Sequence, residues 1–163
     1  MSKRKTKIIS IMMAFIVVVF SSFAAFTDRQ EVAIDGGAGT VKLGEIAKPS
    51  TDLRNMRPGE ARKFTLSSKY NGTLDAVGTI IITDKNSSTA GKMHNSGATG
   101  FVLKNGSNVI QFTNGKATIN KGALKPGATM SQEFTLELGK DAPDSMQGVA
   151  TDLEIVFEAV QAD

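Results

Sequence analysis

Apolar and polar residues alternate in short runs along most of this chain, and turn-forming residues separate the runs. Within residues 62–69, Phe64 and Leu66 share one face while Lys63 and Thr65 share the other. A period of two marks a strand half-buried against a core, and no stretch after residue 24 carries a sustained helical stripe. Near the C-terminus Leu153, Ile155, Phe157 and Ala159 alternate with Glu154, Val156, Glu158 and Val160. This pattern predicts a final strand with one buried face and one partly wetted face. The expected class is all-β, an antiparallel β-sandwich.

Turn signals set the expected connections. Asn-Gly suits two-residue hairpins because both residues tolerate positive φ, and the pair occurs at Asn71-Gly72, Asn105-Gly106 and Asn114-Gly115. The first predicts a hairpin between residues 62–69 and 73–83. The other two divide residues 101–104, 108–113 and 116–120 into a meander. Met56-Arg57-Pro58-Gly59 before Phe64-Thr65-Leu66 is echoed by Leu124-Lys125-Pro126-Gly127 before Phe134-Thr135-Leu136. In each, Pro fixes φ at the first turn position and Gly accepts positive φ at the next. Two copies are too few for a repeat architecture, so the echo reads as equivalent corners of two packed sheets. Phe64, Phe101, Phe112, Phe134 and Phe157, with Leu66, Ile80, Ile82, Leu136, Leu138, Leu153 and Ile155, form the expected core. Residues 84–100, where Met93 is the only large apolar side chain, read as a long mobile surface loop.

The first 24 residues follow another pattern. Lys3, Arg4, Lys5 and Lys7 precede residues 8–20, uncharged and apolar except for Ser10, and Ser21-Ser22-Phe23-Ala24-Ala25 follows. This is the layout of an export signal-peptide helix. Small residues at Ser22 and Ala24 place the cut between Ala24 and Ala25, or one residue later. An uncleaved anchor is the competing reading, because no charge falls between Lys7 and Asp28 and about 20 apolar residues cross a bilayer. The expected organisation is a signal peptide over 1–24, an N-terminal donor-strand segment with a glycine hinge over 25–39, and a β-sandwich domain over 40–163. In the donor segment Phe26, Val32, Ala33 and Ile34 are the apolar positions, and Gly36, Gly37 and Gly39 form the hinge. A short alternating segment before such a hinge can leave its own domain and pair with an exposed sheet edge.

Charge and composition narrow the chemistry. A chain of 163 residues suits one domain. Its net charge of +3 belongs to the leader: residues 1–24 hold four of the 19 cations and no acid, leaving 15 cations against 16 anions. Nucleic-acid binding therefore lacks a cationic footprint. With no Cys and the single His94, neither a thiol nucleophile nor a two-histidine zinc motif is possible. Asp84, Asn86 and Ser88 imitate the start of a calcium loop, but Thr89 stands where Gly is required and Asn95 where a bidentate Glu belongs. Asp141 and Asp144 flank Pro143 in a predicted loop, without the apolar surroundings that raise a catalytic carboxyl. No nucleophile elbow, phosphate loop or dinucleotide fingerprint occurs. No catalytic, cofactor-binding or metal residue is expected, and no cofactor.

Phe23-Ala24-Ala25-Phe26-Thr27-Asp28 resembles the cleavage region of the camelysin-like TasA/CalY family of exported biofilm-matrix fibre subunits. Residues 53–59, then Phe64-Thr65-Leu66, Asn71-Gly72-Thr73-Leu74 and the closing residues 153–161, are similar to that family in order and character. Residues 84–121 match less well. The resemblance implies a jelly-roll-like sandwich, secreted and cut by a signal peptidase, that touches membrane only before cleavage and polymerises with copies of itself. It implies that residues 25–34 add a strand to a neighbouring subunit, and that an accessory anchoring or minor fibre subunit is a further partner. Part of the family is described as metallopeptidases, so a secreted protease is an alternative, though no zinc motif is present to carry over. A monomeric cell-surface adhesin is another. It ranks lower because five of the six Phe that remain beyond the leader are wanted for the core.

Overall fold

The computed structural model describes residues 13–20, 43, 44, 46, 51, 53, 55–86, 89–149 and 151–162. They form two four-stranded antiparallel sheets. One sheet sets β1 (Met13–Phe20), β8 (Leu153–Gln161), β3 (Ala76–Asp84) and β6 (Lys116–Leu124) side by side in that order. The other has the order β2 (Ala61–Lys69), β7 (Thr129–Leu138), β4 (Phe101–Asn105) and β5 (Asn108–Val109). Helical turns among the described residues are confined to Thr89–Gly91 and Asp144–Met146. The class is all-β, as the alternation predicts.

The period of two explains why one core serves both sheets. Phe64 and Leu66 of β2, Ile80 and Ile82 of β3, Phe134, Leu136 and Leu138 of β7, and Leu153, Ile155 and Phe157 of β8 belong to one buried cluster. Every residue expected in the core is buried, including Phe101 and Phe112. Burying a side chain of this size stabilises by about 1.5–3 kcal/mol. Phe64 stands directly opposite Phe134 in the β2–β7 ladder, with ring centroids 5.4 Å apart. That stacked pair adds about 1 kcal/mol beyond its area.

The two Pro-Gly motifs are turns with Gly59 at φ +80° and Gly127 at φ +82°. Each closes with an i to i+3 hydrogen bond, Glu60 N–H to Arg57 O at 2.9 Å and Ala128 N–H to Lys125 O at 3.0 Å. They are not corners of separate sheets. The strands they introduce, β2 and β7, are neighbours in one sheet, and antiparallel pairing sets the turns at its opposite ends. Gly59 N–H donates to Leu138 O at 2.8 Å, and Gly127 N–H donates to Tyr70 O at 3.0 Å. Each turn therefore clamps the far end of the other strand. Glu60 adds a side-chain latch to the first turn: its carboxylate accepts from the Arg57 N–H at 2.9 Å and from Arg62 at 2.6 Å. Those bonds, the Arg57 N–H first, hold the Glu60 carboxyl below its ordinary pKa.

Several expected connections differ. Asn71-Gly72 does not make a hairpin, because β2 pairs with β7 while β3 pairs with β6 and β8. Neither Asn71 nor Gly72 takes positive φ. The chain crosses between sheets there, anchored by buried Tyr70, whose hydroxyl donates to Leu74 O at 2.7 Å and whose N–H donates to Ala128 O at 2.7 Å. The meander is also broken. Asn105-Gly106 joins β4 to β5 as predicted, but Asn114-Gly115, with φ +51° and +73°, turns the chain into the opposite sheet at β6. The described residues of the expected loop, 84–86 and 89–100, are pinned rather than a free surface loop: Met93 bridges to Phe101 and packs on the core. Asn95 mimics a strand partner there, accepting from Phe112 N–H at 2.8 Å and donating to Phe112 O at 2.9 Å.

Two glycine substitutions separate backbone strain from crowding. A Cβ at Gly127 meets nothing within 4 Å, so Gly127→Ala should cost only its left-handed conformation, about 1 kcal/mol. A Cβ at Gly139 would lie 2.3 Å from Ala98 O, and Gly139→Ala should cost about 2–3 kcal/mol. Urea denaturation of both variants checks the order.

Candidate assembly edge

A sheet edge is a row of backbone donors and acceptors waiting for a strand, and natural proteins blunt such rows. Four strands are outermost in these sheets. β5 is only two residues long. β6 carries a bulge: Gly78 opposes Gly122 and Thr79 opposes Asn120, leaving Lys121 as the extra residue, with Lys116 exposed at the start. The outer side of β2 is covered by its own chain. Leu43 bridges to Tyr70, Gly44 N–H donates to Lys69 O, Ser68 Oγ donates to Gly44 O and Thr51 Oγ1 donates to Lys63 O, each bond 2.7 Å.

The remaining side belongs to β8, and there the chain places β1. The ladder runs without a register shift from Met13 opposite Val160 to Phe20 opposite Leu153. On its other side β8 is paired with β3 from Gln161 to Leu153. β8 is thereby an inner strand, and Leu153, Ile155, Phe157 and Ala159 on its core face are at most 3% exposed. Its other face carries half-buried Glu154, Val156, Glu158 and Val160. Within the segment expected to be a signal-peptide helix, Met13–Phe20 is a strand rather than a helix, and residues 1–12 and 21–24 lie outside the described residues. Val17, Val18 and Val19 are β-branched residues that favour extended backbone, and β8 offers hydrogen-bond partners along the whole run.

The start of β8 is held by polar contacts with the end of β3. Asp152 N–H donates to Asn86 Oδ1 at 2.9 Å, and Lys85 N–H donates to Asp152 O at 2.9 Å. Asp84 orders this corner, its carboxylate accepting from Asn86 N–H at 3.0 Å, Asn86 Nδ2 at 2.6 Å and Met93 N–H at 2.8 Å. The residues that imitate a calcium loop thus use Asp84 to hold backbone. Asp152 Oδ1 is buried without a partner. Burial raises the Asp152 pKa; Lys85 opposes the rise, and the Asp84 and Glu154 carboxylates add to it. Lys85 also pairs with Glu154 at 3.1 Å.

The cut-site residues Ala24 and Ala25, the donor positions Phe26, Val32, Ala33 and Ile34, and the hinge residues Gly36, Gly37 and Gly39 lie outside the described residues. His94 is half-buried, its ring against Gly100 and its backbone N–H donating to Phe101 O at 2.7 Å. Among the described residues no three His, Cys, Asp or Glu side chains are grouped to hold a metal ion. None of their helices is long and apolar enough to cross a membrane. Sequence reasoning named a donor strand but no acceptor. The signal for one was present in the unbroken apolar alternation of residues 153–160, the longest such row in the chain without a bulge or proline. No family model, curated protein or solved structure matches this chain.

Because its folded pKa is raised, Asp152 favours the folded state only when protonated, and that stabilisation is lost as pH rises through the folded pKa. Asp152→Asn should therefore melt at a higher temperature than the parent at pH 7, with the gap closing below about pH 4. Thermal melts across that range check the sign.

Proposed function

We propose that this protein is a secreted structural subunit that polymerises into extracellular biofilm-matrix filaments. In this reading a signal peptidase cuts between Ala24 and Ala25. Residues 25–34 then add as a strand to a neighbouring copy, in the manner of the TasA/CalY family that the chain resembles, on a jelly-roll-like sandwich. The observation that carries the reading is the lane beside β8, which β1 fills over eight pairs without a register shift and which Leu153, Ile155, Phe157 and Ala159 flank on the core face of β8, while β2, β5 and β6 are covered, short or bulged. An edge of this kind binds a strand through main-chain hydrogen bonds and selects it through alternate side chains. Head-to-tail strand addition does not close on itself, so an open filament results. The partners are copies of the chain, the peptidase during export, and an accessory anchoring or minor fibre subunit.

Negative-stain imaging tests this directly. Protein spanning residues 25–163 should form filaments as concentration rises, and protein spanning residues 35–163 should remain as single particles. Filaments of equal length and number from both would refute the donor role of residues 25–34.

A further inference from the structure

The strand that completes the β8 edge comes from the leader, the part of the chain that the proposed cut removes. We propose that Met13–Phe20 is a temporary edge strand: it caps β8 in the uncut chain, and its departure opens that lane to a strand from a second copy. The identity of the incoming strand rests on the fibre-subunit reading; the cap does not.

The fit of β1 to β8 argues for a built-in cap. Its eight residues carry no charge, and their pairing reaches from the first residue of β8 to its next to last. Ala14, Ile16, Val18 and Phe20 occupy the register positions opposite Ala159, Phe157, Ile155 and Leu153. An export segment needs apolar residues, but it does not need them in register with the last strand of the domain. The cut site stands four residues beyond Phe20, past the end of the lane, so cleavage does not require the ladder to open first.

Cleavage changes the competition for the lane. While the chain is whole, β1 is tethered and its effective concentration is of the order of millimolar. Once cut, it holds β8 only by the ladder and becomes exchangeable. The residues between the cut and Leu43 then form a new leading segment, rooted where Leu43 pairs with Tyr70 beside the other sheet. Those 18 residues, 25–42, reach up to about 60 Å when extended, enough to arrive at the β8 of an adjacent copy. Within them Gln30, Val32 and Ile34 alternate as the β1 row does, with Val32 and Ile34 as its apolar members.

The absence of Cys from the chain makes the test clean. The full chain, with Ala24→Leu and Ala25→Leu to block the cut, is purified in mild detergent carrying Val17→Cys and Val156→Cys, which stand directly opposite. Opposed residues lie about 4.5–5.5 Å apart between Cα atoms, within disulfide reach. This pair should oxidise to an intrachain disulfide at least tenfold faster than Val18→Cys with Val156→Cys, which falls on opposite faces. Equal rates, or no disulfide in either, would overturn the cap. Filament growth is then followed by light scattering. The disulfide-locked chain should add to filaments of cut protein at least tenfold more slowly than unlocked cut protein does. Equal growth would overturn the cap while leaving the fibre reading intact. A disulfide that forms in register, beside cut protein that never polymerises, would support the cap and overturn the fibre reading.

Discussion

A β-strand carries hydrogen-bonding groups on both sides, and the last strand of this chain satisfies them only if something lies beyond it. β8 is paired with β3 on one side, and on the other side its partner among the described residues is Met13–Phe20. The need is sharpened by the core face of β8, where Phe157 and Ile155 are fully buried with β1 present. Leaving that edge bare would strand roughly half of the strand's backbone donors and acceptors and bring an apolar row to the surface. The rest of the molecule treats its edges differently, with a bulge and lysines on β6 and a covering segment on β2. The contrast sets the β8 side apart, since there the lane is filled by a full-length strand from the start of the chain.

The other sheet is clamped along one pair of strands. Two Pro-Gly turns, one before each of the adjacent strands β2 and β7, donate their glycine N–H groups across to the end of the partner strand. The stacked Phe64 and Phe134 sit midway between these clamps. Gln132 of β7 accepts from Lys121 of β6 in the other sheet and donates to Asn105 of β4, tying the two sheets together by side chains. A rigid sheet of this kind gives the opposite sheet a fixed surface to pack on.

Much of the fold was legible because alternation is a local property. Which residues of the final strand face inward, which phenylalanines are core, and where Pro58-Gly59 and Pro126-Gly127 turn the chain all follow from nearest-neighbour chemistry. The Asn-Gly signals were legible only as turns. Asn114-Gly115 has the left-handed backbone expected of a tight hairpin, yet the strand that follows enters the opposite sheet. Turn chemistry specifies how the chain reverses but does not name the strand it will lie beside, because in a sandwich that choice is made by which faces complete the core. A donor segment was expected at residues 25–39, while the strand it would lie beside could not be named without the strand order of the sheets.

The sequence by itself therefore determined the class of structure, the core residues, the two Pro-Gly turns and the absence of familiar catalytic motifs, since each depends on residues close together in the chain. Only the tertiary structure decided that β2 pairs with β7, that β3 lies between β8 and β6, and that the apolar run Met13–Phe20 takes the form of an edge strand. Those outcomes depend on partners far apart in the chain, and a run of valines has no conformation of its own until a row of free backbone groups stands beside it.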